Sequence, residues 1–105
     1  MRLMSSETKI LVDIVSKVSG ETVDAIMSGG RRRPLPTCRW LVARELMRRG
    51  YSSAYSSREM GLTHATLLHG KKMLEVMEQN PRNGYAEERQ IAVTFTSALE
   101  SSKMV

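Results

Sequence analysis

Apolar residues recur at helical spacing along nearly the whole 105-residue chain, and almost nowhere alternate as a strand would. The spacing predicts a first helix over 7–19, with Ile10, Leu11, Ile14, Val15 and Val18 on one stripe. Lys9, Asp13 and Lys17 take its other side, and Gly20 is a natural stop. A short second helix over 23–27 runs into Ser28-Gly29-Gly30. Pro34 and Pro36 then flank Leu35, which suits a third helix starting just beyond them, over 37–49. Its apolar arc is wide (Cys38, Leu41, Val42, Ala43, Leu46, Met47), as expected of the central, most buried helix, and Arg44 and Arg48 mark its wet side. Arg39 falls inside that arc, where an unpaired guanidinium is costly. Either a partner meets it there, or it snorkels out past the helix end.

Beyond Gly50 the Ser-rich stretch 51–60 predicts only a short helix, since serine is a weak helix former. Gly61 breaks it and Thr63 caps a longer helix over 64–78. Asn80 to Gly84 reads as a turn, and a last helix over 85–101 carries Ile91, Phe95 and Leu99. The fold class expected is all-α, five or six helices in one domain over 1–105. A basic loop spans 29–36 and a helix-turn-helix about 53–78. In that motif the second helix enters the DNA major groove.

The wheel of the fifth helix sharpens the expectation. Leu67, Gly70, Leu74 and Met77 form its core stripe, while Ala65, Leu68, His69 and Lys72 face away, with His64 and Glu75 at one edge. A leucine beside histidine and lysine suits a surface that meets phosphates and thymine methyls; a scattered surface leucine is the plainer alternative.

Charge changes the picture most. Sixteen Lys and Arg against eleven Asp and Glu give +5 and a pI near 9.8. Residues 1–30 carry −1, and residues 51–105 carry zero. The stretch 31–50, with seven arginines (Arg31, Arg32, Arg33, Arg39, Arg44, Arg48, Arg49) and one glutamate, carries +6. A clustered excess of this kind attracts a polyanion, though an arginine run serves equally as a solvated face.

Other classes are disfavoured. No apolar run approaches the ~20 residues of a membrane span, the N-terminal stretch lacks a signal-peptide core, and a lone Cys38 suits a reducing cytoplasm. Hence a cytoplasmic protein with no membrane partner is expected; the absence of a heptad run leans to a monomer, and DNA binding would place it on the nucleoid. His64 and His69 stand five apart, about 140° around a helix, so they do not make a two-ligand metal face. No phosphate-cradling Gly-x-x-x-x-Gly-Lys motif occurs, so no nucleotide or ATPase activity is expected. With Cys38 among core positions and no carboxylate pair near either histidine, neither an enzyme nor a cofactor is expected. A helical protein-interaction module with an acidic partner is the rival reading.

From Ser6 to about Ser101 the chain resembles the C-terminal DNA-binding domain of the DnaA family, the bacterial chromosomal replication initiators. One motif that carries the resemblance is the basic loop running into a helix, Arg31-Arg32-Arg33-Pro34-Leu35-Pro36-Thr37-Cys38-Arg39-Trp40. The other is Gly61-Leu62-Thr63-His64-Ala65-Thr66-Leu67-Leu68-His69-Gly70, similar to the family's Gly-Arg-Asp-His-Thr-Thr-Val signature. The resemblance implies a Trp-repressor-like helical fold that binds double-stranded DNA, with the loop in the minor groove and the recognition helix in the major groove. It implies Arg31 as minor-groove reader with Arg33 beside it, and Arg39 as a phosphate clamp. His64 would meet base edges, Thr63 and Thr66 the adjacent backbone, and His69 a phosphate or sugar. Four positions depart from the family pattern. Thr63 replaces the Asp that accepts from a cytosine amino group, Ala65 keeps only a methyl contact, Leu62 removes an arginine, and Trp40 replaces a polar residue.

Overall fold

The computed structural model describes residues 4–80 and 84–103. Six helices follow one another: α1 (Ser6–Ser19), α2 (Val23–Met27), α3 (Leu35–Arg48), α4 (Ser53–Glu59), α5 (His64–Gln79) and α6 (Ala86–Lys103). Among the described residues there is no strand, and no helix is long and apolar enough to cross a membrane.

Caps fix most of the boundaries. Ser5, Thr22, Ser52 and Thr63 each accept a hydrogen bond from the backbone N–H three residues on, satisfying donors that a helix start leaves open. α1 ends where Gly20 turns left-handed at φ 80°, as its position after the apolar stripe suggested. α3 begins at Leu35, two residues earlier than expected. Pro36 falls in its first turn, where a missing N–H costs nothing.

α3 packs against all five other helices and is the axis of the core. Leu35, Cys38, Leu41, Val42, Ala43 and Leu46 are all buried. Leu11, Val12 and Val15 of α1, Leu67, Leu74 and Met77 of α5, and Ile91, Phe95 and Leu99 of α6 close over it. The α5 stripe is the one expected from the wheel, Gly70 included.

Two expectations fail for physical reasons. The buried line of α1 runs through Thr8, Leu11, Val12 and Val15, leaving Ile10 58% exposed. α1 is clamped between α3 and α6, and the Thr8 hydroxyl donates to Glu59 of α4 (2.5 Å), which turns the helix so that Ile10 points outward. Arg44 is not on the wet side of α3. It is only 8% exposed, because α5 crosses over it and Glu78 meets its guanidinium at 2.6 Å.

The same packing redistributes the charge of 31–50. Arg32 pairs with Glu21, Arg33 with Glu88, Arg44 with Glu78, and Arg49 with both Glu7 and Glu45. Four of the seven arginines therefore tie this segment to other helices or to its own carboxylate. Much of the excess counted along the sequence is locally balanced by carboxylates from elsewhere in the chain, at the surface for Arg32 and Arg33 and under α5 for Arg44.

Candidate functional site

A groove of about 500 Å³ opens where the 29–34 loop, the start of α3 and the α4–α5 turn converge. Gly29 and Arg31 line it from the loop, Pro36, Arg39 and Trp40 from α3, and Gly61, Leu62, Thr63, Thr66 and His69 from the turn and α5. Six expected site residues thus come together: Arg31, Arg39, Trp40, Thr63, Thr66 and His69. They lie about thirty positions apart in the chain, and the crossing of α3 and α5 makes them neighbours.

The turn is local chemistry. Gly61 takes φ 67°, a left-handed conformation that side chains disfavour, and buried Met60 anchors the corner beneath it. The Thr63 hydroxyl accepts from the Thr66 N–H at 3.1 Å and donates to the Thr66 hydroxyl at 2.8 Å. The two threonines form a fixed polar rim at the N-terminus of α5, where backbone amides favour an anion.

Arg39 explains its awkward wheel position. Only 6% of the residue is exposed, and its two terminal nitrogens donate to the carbonyls of Ile26 (2.8 Å) and Gly30 (2.5 Å). It therefore ties the end of α2 to the loop at Gly30. Burial pulls its pKa below the ordinary guanidinium value. Among the described residues no carboxylate lies within ion-pair distance of it. A buried, carbonyl-solvated cation at the edge of an open groove leaves net positive charge there. Arg31 at the rim is exposed and also forms no ion pair among the described residues.

Trp40 is the groove wall. Its indole packs against Gly70, so close that a Cβ there would stand 2.4 Å from the ring carbons Cγ and Cδ1. Its ring meets His69 edge-on, centroids 5.7 Å apart at 85°. Behind these two rings a smaller cavity of about 180 Å³ is lined by Met73, Met77, Tyr85 and the Arg33–Glu88 pair.

The remaining expected residues lie elsewhere. His64, Ala65, Leu68 and Lys72 occupy the exposed outer face of α5, with Leu68 50% exposed. Arg33, expected beside Arg31, is turned away to α6, where Glu88, the Gly84 carbonyl and the Tyr85 ring receive it. Its proximity in sequence to Arg31 is thus misleading about its position.

Sequence reasoning placed Gly70 in the core stripe but not against Trp40, and it missed Glu88 altogether. Gly70 carried a signal, since a glycine inside a core stripe sacrifices helix propensity and needs a packing reason. Glu88 carried none: a glutamate in the first turn of an amphipathic helix looks solvated, yet here it is buried.

The fold and the groove together define an all-α protein with a short helix, a glycine turn and a longer helix beside a basic cleft. No family model matches the chain, and no curated protein or solved structure matches it either.

Proposed function

We propose that this protein binds double-stranded DNA. In this reading the outer face of α5 lies in the major groove and the Arg31 loop reaches the neighbouring minor groove. The observation that carries the proposal is Arg39. A buried guanidinium satisfied only by carbonyls leaves unneutralised charge at the groove, and a phosphate oxygen supplies what the protein does not. Arg31 beside it, the Thr63–Thr66 rim and the amides of α5 present further donors to the same strand.

The uncovered face of α5 is chemically mixed. Ala65 and Leu68 offer apolar contact to thymine methyls, while His64 and Lys72 offer donors to base edges or phosphates. Arg31, a slender cation on a glycine-flanked loop, suits a narrow A·T-rich minor groove. The resemblance to the DnaA C-terminal domain motivates the same assignment and suggests a replication-initiator-like box as a first duplex to try. Thr63, committed to capping and to Thr66, stands where that family accepts from cytosine, so a shifted base preference is expected.

The test is a titration of labelled duplexes, random against A·T-rich and box-like, at ~0.1 M salt. Binding in the micromolar range or tighter, with a preference among duplexes, supports the reading. No binding to any duplex at tens of micromolar protein, well inside the usual non-specific range, refutes it. The exposed Leu68 and Val76 on α5 would then favour the protein-interaction alternative.

A further inference from the structure

Three consecutive arginines precede Pro34, and the structure puts them to different uses. Arg32 donates to both carboxylate oxygens of Glu21, at 2.6 and 3.2 Å. Arg33 donates through Nε and Nη2 to Glu88, the latter at 3.0 Å, and through Nη2 also to the Gly84 carbonyl at 2.9 Å. Its guanidinium sits 4.6 Å above the centre of the Tyr85 ring. Glu88 is only 3% exposed. A carboxylate so buried is costly without its cation, which commits Arg33 to the pair. Arg31 alone of the three forms no ion pair among the described residues.

We infer that Arg33 and Glu88 form a strut by which α6 aims the loop, and that Arg31 is the residue aimed. Arg33 is then a positioning residue and not a DNA contact. This rests on the DNA-binding reading for its purpose, though the strut itself is independent of it. The physics is preorganisation. A loop holding two glycines would otherwise sample many conformations, and ordering it on DNA would cost affinity. Two bidentate arginine–carboxylate pairs, to the α1–α2 junction and to α6, hold the residues on the C-terminal side of Arg31 before any ligand arrives. α6 thereby takes part in recognition through a residue buried away from the groove.

Glu88→Gln separates this from a plain charge effect. Removing a carboxylate from a DNA-binding protein raises its positive charge and should tighten binding to a polyanion. Loss of the strut predicts the opposite sign, a weakening of roughly tenfold, within the range known for coupled contacting residues. Arg33→Ala should weaken binding by a similar factor, and the double variant should be no worse than either single one. The salt dependence should keep its slope, whereas loss of a phosphate contact lowers that slope by about one. Arg31→Ala should weaken binding in both the wild-type and Glu88→Gln backgrounds, but by less in the second.

A DNA-free readout stands beside these. Trypsin should cut after Arg31 and Arg32 several times faster in Glu88→Gln than in wild type, while circular dichroism still shows a cooperative helical fold. If Glu88→Gln does not fold, Glu88→Asp, which shortens the strut but keeps its charge, takes its place with the same expectations. Unchanged proteolysis overturns the strut whatever the DNA result. Faster proteolysis with unchanged or tighter binding overturns the aiming of Arg31. If the wild type binds no duplex, the function falls, and proteolysis alone judges the strut.

Discussion

Replacing Gly70 by alanine should destabilise the protein, although alanine is the better helix former. In an unobstructed helix interior the change would gain about 1 kcal/mol. Here the added Cβ would lie 2.4 Å from Cγ and Cδ1 of Trp40 and 2.7 Å from its Nε1. Ordinary contact begins near 3.4 Å, so α5 and the indole must part by about 1 Å. The obstacle is the root of a rigid ring, not the tip of a flexible chain. Overpacking of this kind costs about 1–3 kcal/mol, toward the upper end where the wall cannot yield. Set against the propensity gain, the net expectation is a loss of about 1–2 kcal/mol, or a melting temperature lower by about 5–15 °C for a domain of this size.

The assay is thermal and urea unfolding followed by circular dichroism. Fluorescence adds a direct view, because Trp40 is the single tryptophan of the chain and its emission should shift as the ring moves. The compensating variant is Gly70→Ala with Trp40→Leu, which removes the wall and should recover part of the loss. A Gly70→Ala protein as stable as wild type, or more stable, would refute the close approach of α5 to α3 and with it the shape of the groove wall.

Arg39→Gln should cost stability, because the amide cannot reach both the Ile26 and Gly30 carbonyls, and should weaken binding to all duplexes about equally; thermal melting and duplex titration read the two effects. Thr63→Ala removes the α5 cap and should lower unfolding free energy by about 1 kcal/mol in urea. Acid should loosen the link of α1 to the α3–α4 corner. Hydrogen bonds from Tyr51 and Arg49 hold Glu7 below the ordinary carboxylate pKa. Glu59 is likewise lowered: burial opposes the shift, but the Thr8 hydroxyl and Ser5 N–H outweigh it. Groups with depressed folded-state pKa values contribute stability above the unfolded value and lose it as pH falls through the folded one. Stability measured from pH 6 downward should therefore begin to fall near the ordinary carboxylate pKa of 4.5, and less steeply in Glu7→Gln.

Much of the fold was legible because it depends on local signals. The Thr63 cap, the Gly20 stop and the 67–70–74–77 stripe are short-range chemistry, and each stands where the sequence pattern puts it. What was not legible depends on which helix crosses which. Ile10 was misplaced because α1 is rotated by its contacts with two neighbours, one of them eighty residues away in sequence. Arg44 was misplaced because only the crossing of α5 brings Glu78 to it. The site divides in the same way. The motif residues Arg31, Arg39, Thr63, Thr66 and His69 converge on one groove, but the use of each arginine is set by distant acids that carry no sequence signal.

That division alters what the net charge means. The formal +6 of residues 31–50 suggests a strong, unspecific attraction for a polyanion. With Arg32, Arg33, Arg44 and Arg49 held in ion pairs, the cations that the DNA-binding reading sets against the duplex are Arg31 and Arg39 at the groove and Lys72 on α5. Counterion release scales with the phosphates neutralised, with a slope of about −0.9 for each in log affinity against log salt. Three contacts give a slope of about −3, and freeing all four paired arginines onto DNA would bring it to about −6. A duplex titration across ~50–200 mM salt distinguishes these values. The shallow slope follows if the internal pairs survive binding, so that affinity rests on the few aimed cations and on the α5 face. The steep one would show that the pairs are reserves released on contact, and would refute the view that they serve the fold alone.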